Sequence, residues 1–201
     1  PYLVPRLISG LKLHAPKMSL IVRENFTDAL AAQLKHGELD AAIMSLPYVD
    51  PQLLSRPLYD EPLQVALPAG HRLATKKRLK PADLAADTLL LLGARNCFRD
   101  QVVEICPLSK DLGALQKTLE GSSLETICQM VAMGAGVTIL PATMRVNDDL
   151  AEHLVVRPFA GPQPMRTIAV FYRRGFARPR VILCLADVVK EANLHGVEYC
   201  S

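Results

Sequence analysis

The sequence lacks the short motifs that mark several common classes of enzyme. It contains no glycine-rich dinucleotide fingerprint, no Walker A phosphate loop and no G-x-S-x-G nucleophile elbow, so the usual support for a nucleotide enzyme or a serine hydrolase is missing. It also contains no C-x-x-C pair and no Cys/His cluster with zinc spacing. We therefore predict neither a cofactor nor a metal. No charged segment followed by an apolar one opens the chain, as a secretory signal would.

The composition is that of a globular protein with few reasons to bind a polyanion or a membrane. Half of the 201 residues are hydrophobic and 21% are charged, a balance that excludes disorder and permits a buried core. The net charge of +3 is too small to argue for nucleic acid. The longest uncharged stretch, 126–144, contains Gly134, Gly136 and Pro141, which indicates helix, turn and strand instead of a membrane span.

Apolar periodicity predicts helices that alternate with strands. The predicted helices cover residues 3–14, 27–37, 98–105 and 124–131, and a last one begins at Pro179. The predicted strands cover residues 18–24, 39–46, 63–67, 88–92, 137–140, 154–157 and 166–172. Thr27 and Ser122 or Ser123 are expected to cap their helices, and Pro107 to end the helix before it. This alternation implies α/β units with largely parallel sheets.

The five cysteines, at positions 97, 106, 128, 184 and 200, form an odd and scattered set. A secreted domain of this size would carry an even disulfide framework, so we expect a reducing cytosol in which any disulfide is transient or sensory. Cys128 and Cys184 fall on apolar helix faces and are predicted to lie in the core. Cys200, beside the terminus, is predicted to be inert.

Cys97 stands at the predicted start of a helix, where the backbone carries partial positive charge. That charge favours the thiolate, as does the charge of Arg95 or Arg99 if either side chain turns toward the sulfur. The thiolate is the form that peroxide oxidises to a sulfenic acid. A sulfenic acid condenses with a second thiol within reach, and Cys106 is the nearest in sequence.

The spacing of Cys97 and Cys106 has a mechanical consequence. Nine helical steps of about 1.5 Å would hold their Cα atoms roughly 13 Å apart, whereas a disulfide requires about 7 Å or less. The helix must therefore unwind or the flanking chain refold before the bond forms, which is the behaviour of a redox switch. Closing a loop of about ten residues would shift the balance by roughly 2–3 kcal/mol. The alternative is that both are ordinary small buried residues.

Several segments together resemble the effector-binding domain of LysR-type transcriptional regulators. They are Pro-Tyr-Leu-Val-Pro at the start, residues 34–43, Tyr-Asp-Glu-Pro-Leu at 59–63 and Gly-Ala-Gly-Val-Thr-Ile-Leu-Pro at 134–141. Their order and spacing extend the resemblance over nearly the whole chain. Within that family, one segment is similar to that of the members that sense hydrogen peroxide. It begins with Cys97-Phe-Arg-Asp-Gln, has eight residues between Cys97 and Cys106, and precedes Ser-Leu-Glu-Thr at 123–126.

The resemblance implies an α/β fold of two Rossmann-like subdomains, of the periplasmic-binding-protein type II kind, with the sensing cysteine between them. Two crossing strands, near 63–67 and 167–171, would join them. Subdomain I would comprise residues 1–65 and 168–201, and subdomain II, with the redox cysteines, residues 66–167. The chain opens on Pro1 instead of Met, which suggests a fragment, and the family implies a preceding winged helix-turn-helix DNA-binding domain.

The resemblance also implies roles for individual residues. Cys97 would be oxidised by peroxide, and Cys106 would resolve the product. Thr27 matches a threonine that hydrogen-bonds peroxide, with a plain helix cap as the alternative. Arg166 matches an arginine that supports the sensing thiolate, with an ordinary surface arginine as the alternative.

Four further positions enter the candidate site with supporting roles. Arg99 and Asp100 would orient the loop through a charge pair, and Ser123 would cap its helix and line the cleft. Asn96 stands where peroxide-sensing members commonly have histidine. Because an amide donates a hydrogen bond but takes up no proton near pH 7, acid–base help would have to come from water, Thr27 or Arg166.

The implied function is a cytoplasmic redox-sensing regulatory domain and not an enzyme. Its expected partners are hydrogen peroxide, copies of itself in a homodimer or homotetramer, DNA through the preceding domain, and a reductant of the glutaredoxin or thioredoxin type. No membrane is expected. The alternatives are a LysR-type regulator that binds a small organic acid, a periplasmic solute-binding protein and a thiol peroxidase.

Overall fold

The computed structural model describes residues 2–106 and 118–200. In chain order the elements are α1 (Val4–His14), α2 (Thr27–His36), β1 (Ala42–Ser45), β2 (Leu53–Pro68), a 3₁₀ helix (Pro81–Leu84), β3 (Leu89–Leu92), α3 (Cys97–Ile105), β4 (Thr118–Gly121), α4 (Leu124–Ala132), β5 (Thr138–Pro141), α5 (Asp148–Ala151), β6 (Leu154–Pro158), β7 (Met165–Arg173), α6 (Pro179–Glu191) and β8 (Glu198–Tyr199). The predicted helices are confirmed, while the end of α3 at Pro107 lies outside the described residues.

The chain forms two compact units. Unit 1 comprises residues 1–61 and 166–201, and unit 2 comprises residues 62–165. The chain therefore changes unit after 61 and after 165, whereas the family resemblance implied changes after 65 and 167. Both points lie within strands, β2 and β7, so no break in the apolar pattern marks them.

Unit 1 places helices against a sheet in which β7 lies between β1 and β2. β1 pairs with β7, and β8 pairs with β2, both in antiparallel register. Helix α1 packs against α6, and the two approach closely at Gly10, where an added Cβ would lie 2.4 Å from a methyl group of Val188. A side chain at position 10 would therefore require Val188 to shift.

Unit 2 surrounds a single apolar core in which all four residues of β3 are buried. β5 and β6 pair with β2 in antiparallel register, whereas β3 and β4 are parallel neighbours. Helix α3 follows β3 and precedes β4 in the chain, which is the arrangement that a parallel pair requires. Helices α3 and α4 both pack against β3.

The expectation of largely parallel sheets is wrong for the described residues. β1, β5, β6 and β8 all run antiparallel to the strands against which their registers are given, whereas β3 and β4 form a parallel pair and Leu89 of β3 makes a further parallel bridge with Val137. The reason is the 16-residue strand β2, along which later strands return in the opposite direction. Alternation of helix and strand along a sequence sets neither strand order nor strand direction.

The predicted strand at 18–24 is also wrong. These residues belong to no strand in the described part of the chain, and Ile21 is 79% exposed. An alternating apolar segment becomes a strand only when a partner supplies its backbone hydrogen bonds.

Across residues 2–106 and 118–200, no helix is both long and apolar enough to cross a bilayer.

Candidate functional site

The turn before α3 is built by the asparagine that precedes the first candidate cysteine. The backbone N–H of Asn96 donates to the carbonyl of Gly93 at 3.0 Å, and its side-chain oxygen accepts from the backbone N–H of Phe98 at 3.0 Å. Asn96 is therefore the N-cap of α3, a position that asparagine favours because its side chain satisfies an otherwise unpaired helix N–H.

Cys97 is the first residue of α3 and is exposed. A residue at this position lies at the N-terminal end of the helix, where the backbone dipoles place partial positive charge. The location thus combines access for a small solute with an environment suited to a nucleophile.

Cys106 lies at the other end of the same helix, in the opposite environment. Its backbone N–H donates to the carbonyl of Val102 at 3.0 Å, and its side chain, only 4% exposed, belongs to the core of unit 2. Burial raises the pKa of the Cys106 thiol to about 11, because the apolar core disfavours the charged form. At neutral pH this thiol is protonated and sheltered from solvent.

The helix keeps the two thiols apart. Cys97 and Cys106 are both free, and α3 is continuous from residue 97 to residue 105. A regular helix of this length separates the two Cα atoms by roughly 13 Å, against a limit of about 7 Å for a disulfide. In this conformation the two sulfurs cannot be joined.

Arg99 ties the first turn of α3 to both strands of the parallel pair. Its Nη1 donates to the carbonyl of Leu92 at 2.9 Å and to Oε1 of Glu120 at 2.6 Å. Leu92 ends β3 and Glu120 belongs to β4. We call this pair of bonds the Arg99–Glu120 clasp.

The predicted charge pair between Arg99 and Asp100 is replaced by this clasp. Adjacent residues on a helix point in different directions, so Arg99 reaches across to β4 instead. Glu120 escaped the sequence reasoning because it lies 21 residues from Arg99. Only the parallel pairing of β3 with β4 reveals that the two are neighbours.

Ser123 caps α4, as the sequence predicted. Its Oγ accepts from the backbone N–H of Thr126 at 3.1 Å. Within that helix Cys128 is completely buried, and its Sγ lies 3.9 Å from the sulfur of Met144. Burial raises the pKa of Cys128 to about 11. Cys128 is thus the core residue that its position on an apolar helix face indicated.

Thr27 does not cap its helix. It is the first residue of α2, Phe26 occupies the N-cap position, and no side chain caps this helix. The Thr27 hydroxyl makes no hydrogen bond within residues 2–106 and 118–200. The plain-cap alternative for Thr27 is therefore wrong.

Arg166 is held by a buried carboxylate. Its Nε and Nη2 both lie 2.6 Å from Oε2 of Glu61, and Glu61 is completely buried. The side chain of Arg166 is itself 18% exposed, so the alternative of an ordinary surface arginine is wrong. Thr27, Arg166 and Glu61 belong to unit 1, whereas Asn96, both candidate cysteines and Ser123 belong to unit 2.

The ligand types needed for a metal do not converge in the described residues. No group of three or more His, Cys, Asp or Glu side chains there is arranged to hold an ion.

Comparison with known proteins identifies relatives of this chain. The model of the LysR substrate-binding domain matches residues 1–193. A hydrogen peroxide-inducible genes activator of Pectobacterium carotovorum subsp. carotovorum is 36% identical over 95% of this chain and 63% of its own length. The chain thus spans less than two thirds of that relative.

Solved structures give the same result. A reduced form of OxyR from N. meningitidis is 38% identical and superimposes with a TM-score of 0.92, covering 100% of this chain and 94% of the other. An oxidised form of OxyR is 34% identical with a TM-score of 0.79, covering 96% of this chain and 90% of the other. The two-subdomain architecture of the periplasmic-binding-protein type II kind is thereby confirmed.

Proposed function

This chain belongs to the LysR substrate-binding domain family, and from that premise we propose that it is the redox-sensing regulatory domain of a LysR-type transcription factor that responds to hydrogen peroxide. The observation that carries the proposal is the placement of two thiols at opposite ends of one helix. One thiol is exposed at the helix N-terminus, and the other is buried at the C-terminus.

The proposed reaction has two steps. The Cys97 thiolate attacks one oxygen of hydrogen peroxide and breaks the O–O bond, which leaves Cys97 as a sulfenic acid and, with one proton taken up, releases water. The Cys106 sulfur then attacks the Cys97 sulfur, a disulfide forms, and the hydroxyl leaves as a second water with the thiol proton. In sum, two thiols and one peroxide give one disulfide and two waters.

The second step requires a change of conformation. Because α3 separates the two Cα atoms by roughly 13 Å, the bond can form only after the helix has lost much of its length. Cys106 must also leave the core of unit 2, where it is protonated and hidden. The disulfide would then hold a second conformation, which is the signal that the domain passes on.

Three further residues complete the proposed peroxide chemistry. We assign Thr27 to hydrogen-bonding of peroxide and Arg166 to support of the thiolate, as the family resemblance implies. In support, the Thr27 side chain is not used as a helix cap, and Glu61 fixes the position of the Arg166 guanidinium. Asn96 stands where peroxide-sensing members commonly have a histidine that can accept a proton. Its side chain caps α3, so it stabilises the helix and transfers no proton.

The remaining elements of the proposal concern the full-length protein. By analogy with the named activators it would bind DNA through a preceding domain, assemble as a homodimer or homotetramer, and be reset by a reductant of the glutaredoxin or thioredoxin type. The cytoplasm is the compartment in which such a reductant operates. A sensor of this kind reacts once and waits to be reset, so steady peroxide turnover by an enzyme is not expected.

The test is a thiol count and peptide map of the 201-residue chain after one equivalent of hydrogen peroxide. The expected result is the loss of two of the five thiols and a peptide pair joined through Cys97 and Cys106. Cys97→Ser should abolish both, while Cys184→Ser, a change on α6 in unit 1, should leave both intact. Retention of all thiols in the unaltered chain, or a pairing that survives Cys97→Ser, would overturn the proposal.

A further inference from the structure

The two residues of the Arg99–Glu120 clasp flank Cys106, the proposed resolving cysteine, in the sequence. Arg99 belongs to the first turn of α3, before Cys106, and Glu120 belongs to β4, after it. The Arg99 guanidinium therefore links α3, the helix that must change conformation, to β4, which follows Cys106 in the chain. Its other acceptor, the carbonyl of Leu92, belongs to a residue that is 7% exposed.

We propose that Glu120, acting through Arg99, is a positioning residue that sets how readily the two thiols are oxidised. The inference rests on the proposed function, which supplies the reaction, and adds a residue that neither touches peroxide nor carries sulfur. The Glu120 carboxylate keeps the Arg99 guanidinium in position to donate to the Leu92 carbonyl. This arrangement stabilises the helical dithiol form of α3.

The geometry explains why the clasp favours one redox state. The Cys97 and Cys106 Cα atoms must approach from roughly 13 Å to 7 Å or less, so the chain between them must reverse direction. Arg99 lies within that closed loop. Its bonds to Leu92 and Glu120 require the first turn of α3 to stay beside the ends of β3 and β4, and reversal of the chain would displace that turn.

Thermodynamic linkage gives the direction and size of the effect. A contact present in the dithiol form and absent from the disulfide form favours the dithiol by its own free energy. The Arg99 side chain is 22% exposed and the Glu120 side chain 53% exposed, so solvent screens the pair and the effect is modest. We expect loss of the carboxylate to raise the disulfide-to-dithiol equilibrium constant about two- to fivefold; threefold corresponds to about 14 mV for this two-electron couple.

The experiment measures that equilibrium in the 201-residue chain against reduced and oxidised dithiothreitol. Oxidised dithiothreitol accepts the two protons and two electrons that the protein dithiol releases, so the ratio of the two protein forms at a known ratio of the two dithiothreitol forms gives the constant. Glu120→Gln removes the charge and should raise the constant two- to fivefold. The matched control is Glu104→Gln, the same change at an exposed residue of α3, which should leave the constant within about 1.5-fold of the unaltered chain.

Two further measurements guard against a variant that is merely misfolded. Arg99→Lys keeps the positive charge but replaces the guanidinium, whose Nη1 donates to both acceptors, with an ammonium on a shorter side chain. It should therefore also raise the constant. In the unaltered chain, added salt should also raise the constant because it screens the ion pair, and that salt dependence should weaken in Glu120→Gln.

The outcomes separate this inference from the proposed function. If the unaltered chain forms a Cys97–Cys106 disulfide but Glu120→Gln and Glu104→Gln behave alike, the clasp has no role and only this inference fails. A lowered constant in Glu120→Gln would also overturn it. If the unaltered chain forms no such disulfide under oxidising conditions, the proposed function fails first.

Discussion

Helices α3 and α4 are close counterparts within unit 2, yet they treat their cysteines in opposite ways. Each has nine residues and each begins at a polar cap, Asn96 for α3 and Ser123 for α4. Helix α3 carries a cysteine at its first position and another just past its last. Helix α4 carries its one cysteine, Cys128, in the middle of a buried face with Ile127 and Val131.

Cys106 and Cys128 have the same pKa but differ in how easily each can leave the core. Burial raises the pKa of Cys106 and of Cys128 to the same value, about 11. Cys106 can leave the core when the last turn of α3 opens. Cys128 can leave only if α4 itself unfolds. Position on the helix, and not acidity, is therefore what would make one of two equally buried thiols a resolving residue.

The largest expected effect is the difference between replacing these two thiols. Cys106→Ser should eliminate the peroxide-induced disulfide completely and leave Cys97 as a sulfenic acid that dimedone traps. Cys128→Ser should form the disulfide as the unaltered chain does. Mass spectrometry of the peroxide-treated variants distinguishes the two results. A disulfide between Cys97 and Cys128 in the Cys106 variant would show that reach, and not helix position, selects the partner.

The next effect concerns the stability of α4 as the fixed member of the pair. Ile127 is completely buried, and its truncation to alanine should lower the free energy of unfolding by about 2–5 kcal/mol through lost burial and a cavity. Val103 on α3 is only partly buried, so Val103→Ala should have a distinctly smaller effect. Urea denaturation of the reduced variants measures both. Equal losses would mean that α3 is anchored as firmly as α4.

Alkaline pH offers a third comparison, because it acts on both buried thiols at once. The pKa of each rises from 9.0 to about 11 on folding, so the folded chain retains protons that the unfolded chain loses above pH 9. The thiol contribution to stability is complete below pH 9 and is lost between pH 9 and 11, with a slope of at most about 1.4 kcal/mol per pH unit for each thiol.

Single replacements divide that slope between the two helices. Cys106→Ser and Cys128→Ser should each remove about half of the thiol-linked loss measured by denaturation under reducing conditions. Burial also raises the pKa values of Tyr59 and of the Cys200 thiol, but both contributions are common to all variants and cancel when the variants are compared. A Cys128 variant whose alkaline slope matched that of the unaltered chain would show that its thiol does not remain protonated.

Local patterns were sufficient to predict both helices and a serine cap for α4, whereas the Asn96 cap of α3 was not predicted. In α4, Leu124, Ile127, Cys128 and Val131 follow helical spacing behind a serine, and in α3 the asparagine and the two cysteines are visible directly. These features depend on neighbours within one or two turns. The buried face of α4 and the positions of the two cysteines on α3 could therefore be predicted from the sequence alone.

The features that the sequence did not predict all depend on distant partners. The antiparallel direction of the strands beside β2, the exposure of residues 18–24 and the carboxylates of Glu61 and Glu120 each involve chain segments far apart in sequence. Thr27 failed as a cap because α2 begins one residue earlier than its hydroxyl requires. No periodicity within a short window contains that information.

The smallest predicted effect tests whether the caps of the two helices differ in consequence. Asn96→Ala and Ser123→Ala each remove one side-chain acceptor from a helix N–H, and each should lower the free energy of unfolding by about 1 kcal/mol. The Asn96 cap, however, stabilises a helix that the disulfide must disrupt, whereas the Ser123 cap stabilises one that persists in both states. Asn96→Ala should therefore raise the disulfide-to-dithiol constant about fivefold, the equivalent of about 1 kcal/mol, while Ser123→Ala leaves it unchanged. If both variants shifted the constant equally, α4 would take part in the switch and the distinction between the two helices would be lost.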